Sequence, residues 1–500
     1  MGAHGSSIKN LPVSKDVQAY IESGIEKDLF KNRAGSNFHE VINPASGEVM
    51  LSVPDSTETE VDRVISNARQ QVDSGDWARW SPYQRQSALM RLADLIEKNA
   101  DFLAELEMVN TGKLRRVARN IEVGASVEYV QYMAGWPTRI GGETLPTSIP
   151  APEGKRWQAH TNREPIGVVG AITPWNFPFM MAIWKIIPAL ACGNSVVIKP
   201  SELAPLTTFK LIELIQEAGI PEGVVGLVTG GAQAGSYLTQ NNGIDKLTFT
   251  GSTQTGKSIA HAAADRIIPC TLELGGKSPV LVLNDADPEA AAKTIAELVF
   301  LHSGQVCVAG TRIYVERGIY EDFADAYSAV VSGMKVGNPE EESTQIGPVQ
   351  SKAQLERIEN YLQESLSEGA SLAAGGDPVN SAGFFVNPAV VVGSQQTSRL
   401  MREEIFGPVS ALFPFDGLDE GIRLANDSDY GLAASIWSND LSRINYLIPR
   451  LKAGTVWVNA HAILDPTMPH GGYKQSGIGR EHGSTLIEHY TQLKTVCMLT

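Results

Sequence analysis

The residues GSTQTGKS at positions 251–258 have the types and spacing needed to bind phosphate. They fit the pattern G-x-x-x-x-G-K-[ST], in which backbone N–H groups surround the phosphates of a nucleotide and a lysine, here Lys257, contacts them. The later segment PVLVLND ends at Asp285 and imitates the strand and aspartate that hold Mg²⁺ in such proteins. Taken alone, these residues predict a nucleotide hydrolase.

Two other interpretations of the GSTQTGKS segment stay open. Lys257 could be a solvated side chain in the first turn of a helix. Alternatively, Gly251 and Ser252 stand at a helix N-terminus, where free N–H groups and the helix dipole favour an anion such as a dinucleotide pyrophosphate. A true GxGxxG sequence follows none of the strand-like runs, GIGREHG at Gly477 being the nearest approach. A nicotinamide cofactor would therefore bind by an arrangement other than the usual Rossmann fingerprint.

Cysteine usage and charge exclude several classes of protein. Four cysteines in 500 residues, without a CxxC pair, form neither a disulfide framework nor zinc-finger spacing, and they fit a reducing cytoplasm. Lys and Arg number 41 against 56 Asp and Glu, a net charge of −15 that disfavours nucleic acid as a partner. The apolar run 177–192 contains Lys185 and Pro188 and is too short to span a bilayer. We expect neither a metal site nor a membrane segment.

Several further motifs occur in a fixed order along the chain. They are INPASGE at 42–48, TPWNFP at 173–178, VVIKPSE at 196–202, LELGGKSP at 272–279, SGQVC at 303–307, EEIFGPV at 403–409 and GGYKQSGIGRE at 471–481. Together they resemble the aldehyde dehydrogenase superfamily over nearly the whole chain. The resemblance outweighs the nucleotide hydrolase interpretation, because in this family the FTGST segment faces the pyrophosphate of the cofactor.

The resemblance implies a covalent mechanism. Hydride transfer from an aldehyde first needs a tetrahedral carbon, and a thiolate is the best protein nucleophile for forming one. The resemblance assigns this nucleophile to Cys307 and the oxyanion donors to the Asn176 amide and the Cys307 N–H. Glu273 would be the general base for hydrolysis of the thioester, which favours release of a free acid over transfer to coenzyme A. Lys185 and Glu481 match a proton exit path, although a salt bridge explains them equally well.

The same resemblance implies the cofactor residues. Lys199 and Glu202 would hold the adenosine ribose, and the Glu202 carboxylate would repel a 2′-phosphate, so NAD is expected over NADP. Gly251 and Ser252 would meet the pyrophosphate. The remaining cofactor residues, at the nicotinamide end and along the TPWNFP motif, are Glu404, Phe406, Thr173 and Trp175.

The expected substrate pocket is apolar and partly aromatic, which suits a hydrophobic aldehyde. Its matching positions are Phe177, Met181, Trp184, Leu301, Val306, Val308 and His470. Each of the apolar residues could equally be core packing. His470 stands where many relatives have Phe, and it could shorten the pocket, contact a polar group of the substrate, or be a histidine satisfied by protein partners. The stretch 148–169 is similar to arylacetaldehyde dehydrogenases of the phenylacetaldehyde type, so aromatic or arylalkyl aldehydes are expected.

The elements that position these residues follow from periodicity. Apolar residues at helical spacing predict helices over about 82–109 and 116–133, and turn signals after Gly135 predict an extended arm. From Ile166, apolar strands alternate with helices, which predicts a parallel sheet covered on both faces with ligands beyond its carboxyl ends. A second α/β series begins at Pro279, with the strand-like runs PVLVL, RIYVE, SALFPF, AASIW and TVWVN. The tail from Leu486 is predicted as a strand.

These elements make an α/β protein of three parts, consistent with its length. We expect a Rossmann-like cofactor domain (1–136 and 160–272), an α/β catalytic domain (273–470) and a small β element for oligomerisation (137–159 and 485–500). The resemblance implies a homo-oligomer, with a tetramer preferred over a dimer. A non-enzymatic role is the remaining alternative, because some members of the superfamily are structural proteins. Those members typically lose the nucleophile, whereas this chain keeps every catalytic candidate.

Overall fold

The computed structural model describes residues 11–26, 37–379 and 381–500, so residues 1–10 and 27–36 of the predicted cofactor domain lie outside it. The strands are β1 (Phe38–Asn43), β2 (Glu48–Pro54), β3 (Thr144–Leu145), β4 (Trp157–Pro165), β5 (Val168–Ile172), β6 (Ser195–Lys199), β7 (Val225–Leu227), β8 (Lys246–Thr250), β9 (Cys270–Glu273), β10 (Pro279–Val282), β11 (Arg312–Glu316), β12 (Ser371–Ala374), β13 (Ala389–Val392), β14 (Val409–Phe415), β15 (Tyr430–Gly431), β16 (Ala433–Trp437), β17 (Thr455–Val458), β18 (Tyr473–Lys474), β19 (Gly477–Ile478) and β20 (Thr491–Leu499).

Helices separate most of these strands. The α-helices are Lys15–Glu26, Glu58–Asp73, Asp76–Arg79, Pro82–Lys98, Ala100–Thr111, Arg115–Val117, Ala125–Ala134, Pro178–Ala191, Leu206–Glu217, Ala232–Gln240, Thr253–Arg266, Pro288–Val299, Tyr320–Ser332, Lys352–Ser367, Arg399–Arg402, Gly417–Asn426, Leu441–Leu447 and Leu486–Tyr490. A π-helix covers Ala118–Gly124, and 3₁₀ turns cover Leu301–Gly304, Arg317–Ile319 and Ile448–Arg450.

The first large sheet has six strands in the order β19-β9-β8-β5-β6-β7. Strands β5 to β9 are parallel, and only β19 is antiparallel, beside β9. The chain moves outwards from β5 through β6 to β7 and then returns to the opposite side of β5 with β8. At this reversal the connections leave the sheet in opposite directions, which opens a crevice at the carboxyl ends of β5 and β8.

Both faces of this sheet are buried, as its continuous apolar runs predict. In β5, Val169 and Ala171 join the core cluster that contains the helices Pro82–Lys98 and Pro178–Ala191. The alternate residues Val168 and Ile172 join a second cluster, with apolar side chains of Glu58–Asp73 and Thr253–Arg266. This two-residue alternation places one helical layer on each face of the sheet.

The second large sheet has seven strands in the order β12-β13-β14-β11-β10-β16-β17, all parallel except β12. The predicted runs PVLVL, RIYVE, SALFPF, AASIW and TVWVN each contribute a strand, while β12 and β13 were not predicted. Its faces alternate in the same way, since Leu281 and Val282 of β10 belong to separate core clusters.

A three-stranded sheet, β20-β4-β3, joins the arm to the C-terminal segment. The prediction of a strand from Leu486 is wrong for the first residues, because Leu486–Tyr490 is a short helix that buries Leu486, Ile487 and Tyr490. The strand β20 begins only at Thr491. The three domain boundaries given above stay a prediction.

The long predicted helices are also interrupted. The range 82–109 contains two helices with a break at Asn99, whose side chain bonds back to the Leu95 carbonyl oxygen at 2.8 Å. The range 116–133 passes through the π-helix Ala118–Gly124. Such π segments often occur at functional sites, and this one carries Ile121 to the cavity described next.

Candidate active site

One cavity of about 340 Å³ lies between the carboxyl edge of the first sheet and the loops that precede strands of the second. Of the predicted site residues, Thr173, Lys185, Lys199 and Glu202 lie outside its lining. The predicted residues within the lining are Trp175, Asn176, Phe177, Met181, Trp184, Gly251, Ser252, Glu273, Leu301, Val306, Cys307, Val308, Glu404, Phe406, His470 and Glu481. Residues that are far apart in the sequence therefore meet at a single site.

Cys307 lies in the loop between the helix Pro288–Val299 and β11, and it is partly exposed. The loop reaches the cavity through two left-handed residues, His302 (φ 48°) and Ser303 (φ 55°), both non-glycine residues. Such backbone is strained and occurs often at functional sites. Burial raises the pKa of the Cys307 thiol to about 12, and the Glu404 and Glu273 carboxylates add to the shift. The thiol is thus protonated at rest.

Asn176 follows β5 and immediately precedes the helix Pro178–Ala191. Its side-chain amide nitrogen donates a hydrogen bond to the Gln305 carbonyl oxygen at 2.9 Å, which fixes the amide beside the cysteine loop. A primary amide carries two hydrogens. The second is therefore available to an oxygen atom in the cavity, which Cys307 also lines.

Glu273 ends β9, so strand pairing fixes its backbone beside Thr250 of β8 and Gly477 of β19. Its side chain is buried, and Oε1 has no hydrogen-bond partner among the described residues. Burial raises the pKa of this carboxyl well above its ordinary value, and the Glu481 carboxylate adds to the rise, against the opposing charge of Lys185. A carboxyl group with a raised pKa is suited to general-base work near neutral pH.

Lys185 and Glu481 form an ion pair that is almost completely buried. Lys185 lies on the helix Pro178–Ala191, whereas Glu481 is held by paired backbone hydrogen bonds with His470. Only the Glu481 end of the pair reaches the cavity. The salt-bridge interpretation of these residues is therefore realised in the structure, and a proton path through them stays a prediction.

The predicted cofactor residues follow the carboxyl ends of neighbouring strands. Thr173 follows β5 and Gly251 follows β8, the two strands that flank the crevice. Ser252 caps the helix Thr253–Arg266 by accepting a hydrogen bond from the Thr255 N–H at 3.2 Å. The Trp175 and Phe406 rings meet edge to face with their centroids 5.2 Å apart. Gly251, Ser252, Trp175 and Phe406 thus line the same cavity, and their role in binding the cofactor stays a prediction.

Lys199 and Glu202 lie at the end of β6, beyond the cavity. The Lys199 ammonium donates to the carbonyl oxygens of Pro200 (2.9 Å) and Gly230 (2.6 Å) and lies 3.8 Å from Glu202 Oε2. The Thr173 N–H bonds to the Lys199 carbonyl oxygen, and Thr173 Oγ1 is buried without a partner among the described residues. The ribose-binding role of Lys199 and Glu202 stays a prediction.

The substrate end of the cavity is apolar. All seven predicted residues line it, and four apolar residues that the sequence did not single out join them, namely Ile121, Met180, Ala462 and Leu464. Met180 lies four residues before Trp184 on one helix, so helical spacing could have indicated it. Ile121 lies more than 50 positions before Asn176 along the chain, and nothing in its local sequence connects it to the site.

The residues that favoured a nucleotide hydrolase, Lys257 and Asp285, have other surroundings in the structure. Lys257 is an exposed side chain on the helix Thr253–Arg266 and does not line the cavity. The Asp285 carboxylate accepts hydrogen bonds from Ser438 Oγ and from the Asn439 and Asp440 N–H groups in the second sheet. It therefore organises a loop of that sheet and is not paired with the GSTQTGKS segment.

Other expectations concern metals, cysteines and membranes. Within residues 11–26, 37–379 and 381–500, no group of three or more His, Cys, Asp and Glu side chains is arranged to hold a metal ion. All four cysteines are free. No helix of these same ranges is long and apolar enough to cross a bilayer.

Comparison with known proteins agrees with this geometry. Residues 30–496 match the model of the aldehyde dehydrogenase family. The chain is 45% identical over 459 residues to phenylacetaldehyde dehydrogenase of Pseudomonas fluorescens, covering 91% of each protein. It is 39% identical over 487 residues to mitochondrial benzaldehyde dehydrogenase of Antirrhinum majus, covering 97% of this chain and 90% of that protein.

A solved structure gives the same result. The NAD⁺ complex of aldehyde dehydrogenase from Bacillus cereus has a TM-score of 0.93 to this chain at 40% identity, covering 98% of this chain and 99% of that one. The chain therefore belongs to the aldehyde dehydrogenase family and has the aldehyde dehydrogenase fold. The family and the fold class predicted from the sequence are confirmed.

Proposed function

We propose that this protein oxidises a hydrophobic or aromatic aldehyde to its carboxylic acid, with NAD⁺ as the hydride acceptor. The observation that carries the proposal is the meeting of three groups in one cavity, the Cys307 thiol, the Asn176 amide and the Glu273 carboxyl. A nucleophile, an oxyanion donor and a general base within one cavity are the groups that covalent acyl chemistry needs.

The first step joins the aldehyde to the protein. The Cys307 sulfur, after loss of its proton to solvent, bonds to the carbonyl carbon, and the carbonyl electron pair moves to oxygen. The Asn176 amide and the Cys307 N–H donate hydrogen bonds to this oxyanion, and loss of one such donor costs about 10²–10³ in rate. NAD⁺, when bound, accepts the hydride from this carbon. As the C–H electron pair leaves this carbon, the oxygen electron pair re-forms the C=O bond, and the product is a thioester on Cys307.

The second step releases the acid. Glu273 takes a proton from a water molecule as the water oxygen bonds to the thioester carbon, and the C–S bond then breaks with its electron pair on sulfur. The raised pKa of Glu273 supports this role, because burial makes its carboxylate a stronger base towards a water proton.

The choice of NAD over NADP depends on Glu202. Its side chain is 35% exposed and lies beside Lys199, where its charge would oppose a 2′-phosphate. Replacing Glu202 with Gln removes this charge, so the kcat/KM for NADP should rise while that for NAD falls. An unchanged ratio would remove Glu202 from cofactor selection.

The substrate class is supported by the lining and by the relatives. The cavity lining includes Phe177, Trp184 and Met181 together with shorter aliphatic side chains, and aromatic and apolar walls favour a hydrophobic aldehyde. Two of the relatives named above act on phenylacetaldehyde and benzaldehyde by their names. An arylacetaldehyde is our first choice of substrate.

A homotetramer, or otherwise a homodimer, is part of the proposal. The strand β20 is an edge strand of its sheet, and Leu493, Met498 and Leu499 on it are exposed. An exposed edge with apolar side chains is a natural site for a second copy of the chain. The cytoplasmic location expected from the cysteines also stays a prediction.

The test is NADH formation measured by absorbance with a panel of aliphatic, benzylic and arylacetic aldehydes. The proposal expects the highest kcat/KM with an arylacetic aldehyde. Cys307→Ala should abolish NADH formation and leave NAD binding intact. Near-normal turnover by this variant would refute the assignment of the nucleophile, whereas high turnover of aliphatic aldehydes alone would refute the substrate class.

A further inference from the structure

His470 faces the catalytic base across the active-site cavity. Its backbone exchanges two hydrogen bonds with Glu481, with N···O distances of 2.6 and 2.7 Å, so its position is tied to that buried residue. The side chain is 4% exposed and lines the cavity. His470 Nε2 lies 4.0 Å from Glu273 Oε2.

The imidazole of His470 is not satisfied by the protein. Neither ring nitrogen makes a hydrogen bond to a described residue, and Nδ1 is fully buried. Its ring neighbours are Trp184 and His482, with centroids 6.1 and 6.2 Å away. The interpretation of a satisfied histidine therefore fails. A buried polar group without a partner is costly, which indicates that another molecule completes the hydrogen bonding of His470.

The distance between His470 Nε2 and Glu273 Oε2 suits one bridging water molecule. At 4.0 Å the two atoms are too far apart for a direct hydrogen bond. One water oxygen at ~2.8 Å from each atom spans this gap when its two hydrogen bonds meet at roughly a right angle.

We propose that His470 is a positioning residue that holds the hydrolytic water jointly with Glu273, an inference that rests on the function proposed above. The water donates one O–H to Glu273 and the other to His470 Nε2. With both O–H groups engaged, a lone pair of the water oxygen remains free to attack the thioester carbon on Cys307. The proton moves to Glu273 only, and His470 remains neutral throughout.

Two variants separate hydrogen bonding from packing at this position. His470→Phe keeps a planar ring but removes both nitrogens, whereas His470→Gln retains a polar group that bonds to water. An activated aryl ester that acylates Cys307 without hydride transfer isolates the hydrolysis step. The measurement is the first-order loss of the acyl group, followed by intact mass, together with the rate of the first NADH turnover with aldehyde.

The proposal expects His470→Phe to lose the acyl group about tenfold more slowly, which is the range of one hydrogen bond to a reacting water. The first NADH turnover should keep its rate, and His470→Gln should restore most of the hydrolysis rate. Equal acyl loss in the wild type and the Phe variant would overturn the proposal. Equal slowing of both variants, in both steps, would also overturn it, because that result indicates packing alone.

Two further points keep the test decisive. If the thermal midpoint shows that His470→Phe does not fold, His470→Met fills the space with a flexible apolar chain and replaces it. Failure of the proposed function is distinguishable, because it would show as absence of the NADH turnover in the wild type. Failure of the His470 inference shows instead in the rates of the His470 variants, while the wild type still turns over NADH.

Discussion

Gly276 lies directly against the carbonyl oxygen of Cys307. A β-carbon at position 276 would approach that oxygen to well inside 3.0 Å, closer than real side chains allow. The Gly276 N–H also donates to Glu404 Oε1 at 3.0 Å. The second glycine of LELGGKSP thus allows the cysteine loop to lie on the segment that follows Glu273, and so brings the nucleophile and the base to one cavity.

Gly276→Ala should therefore displace the Cys307 loop. Because the Cys307 carbonyl oxygen is a backbone atom, a side-chain movement cannot relieve this contact, and overpacking of this kind costs about 1–3 kcal/mol of stability. We expect a lower thermal midpoint and a larger loss of kcat/KM. Gly318→Ala is the matched control, since a β-carbon there would lie 3.7 Å from its nearest neighbour. Normal activity of Gly276→Ala would contradict the account of this contact.

Glu122 caps the helix that carries much of the substrate lining. Its Oε1 accepts the N–H groups of Phe179 (3.0 Å) and Met180 (3.1 Å), and its other oxygen pairs with the buried Lys113. Glu122→Gln breaks a buried ion pair, which costs about 3–5 kcal/mol. We expect a marked fall in thermal midpoint, whereas the exposed Glu128→Gln on the next helix should be neutral. Equal midpoints for the two variants would refute the capping role.

Alkylation of Cys307 should rise steadily with pH. Only the thiolate reacts, and because the pKa of Cys307 is raised to about 12, each pH unit between 7 and 10 should increase the rate about tenfold. The rate of iodoacetamide labelling, followed by peptide mass spectrometry in the absence of cofactor, checks this. The exposed Cys497 provides an internal comparison. A plateau of Cys307 labelling below pH 9 would contradict the shift.

Acid should destabilise the protein through buried neutral histidines. Burial lowers the pKa of His461 to about 4, below its ordinary value near 6.5. As the pH drops, the unfolded chain binds a proton on this histidine before the folded chain does. The contribution of His461 to the free energy of unfolding is therefore fully present above pH 6.5, and it falls by about 1.4 kcal/mol per pH unit as the pH drops towards 4. His461→Gln should flatten this fall in thermal midpoint, and the exposed His261→Gln should not. Identical pH profiles would contradict the prediction.

The sequence predicts the residues of the site better than the contacts that hold them in place, and the reason is physical. The family resemblance implies the roles of Cys307, Glu273, Thr173 and Lys199. Parallel strands bring their carboxyl ends to one edge, which is why Glu273, Thr173 and Lys199 lie at or just after strand ends. Cys307 instead lies in a loop before β11, so the topology of the first sheet alone does not place it.

The contacts that hold the site residues in place join segments that are distant in the sequence. Glu122 reaches the helix at Phe179 from a π-helix that amphipathic periodicity does not reveal. The left-handed backbone at His302 has no local signal, because glycine would be expected there. Only the packed structure shows that His470 lacks a protein partner. Such features are set by tertiary packing, which overrides local preference.

The most direct test of the account is to trap the acyl group on Cys307. Glu273→Gln keeps the shape of the side chain but removes its basicity, so hydrolysis should slow while hydride transfer still occurs. After mixing with NAD⁺ and phenylacetaldehyde, intact and peptide mass spectrometry should find the Cys307 peptide heavier by the aldehyde less two hydrogen atoms, with one NADH per site. NADH formed at the wild-type steady rate, without any adduct on Cys307, would contradict the central claim.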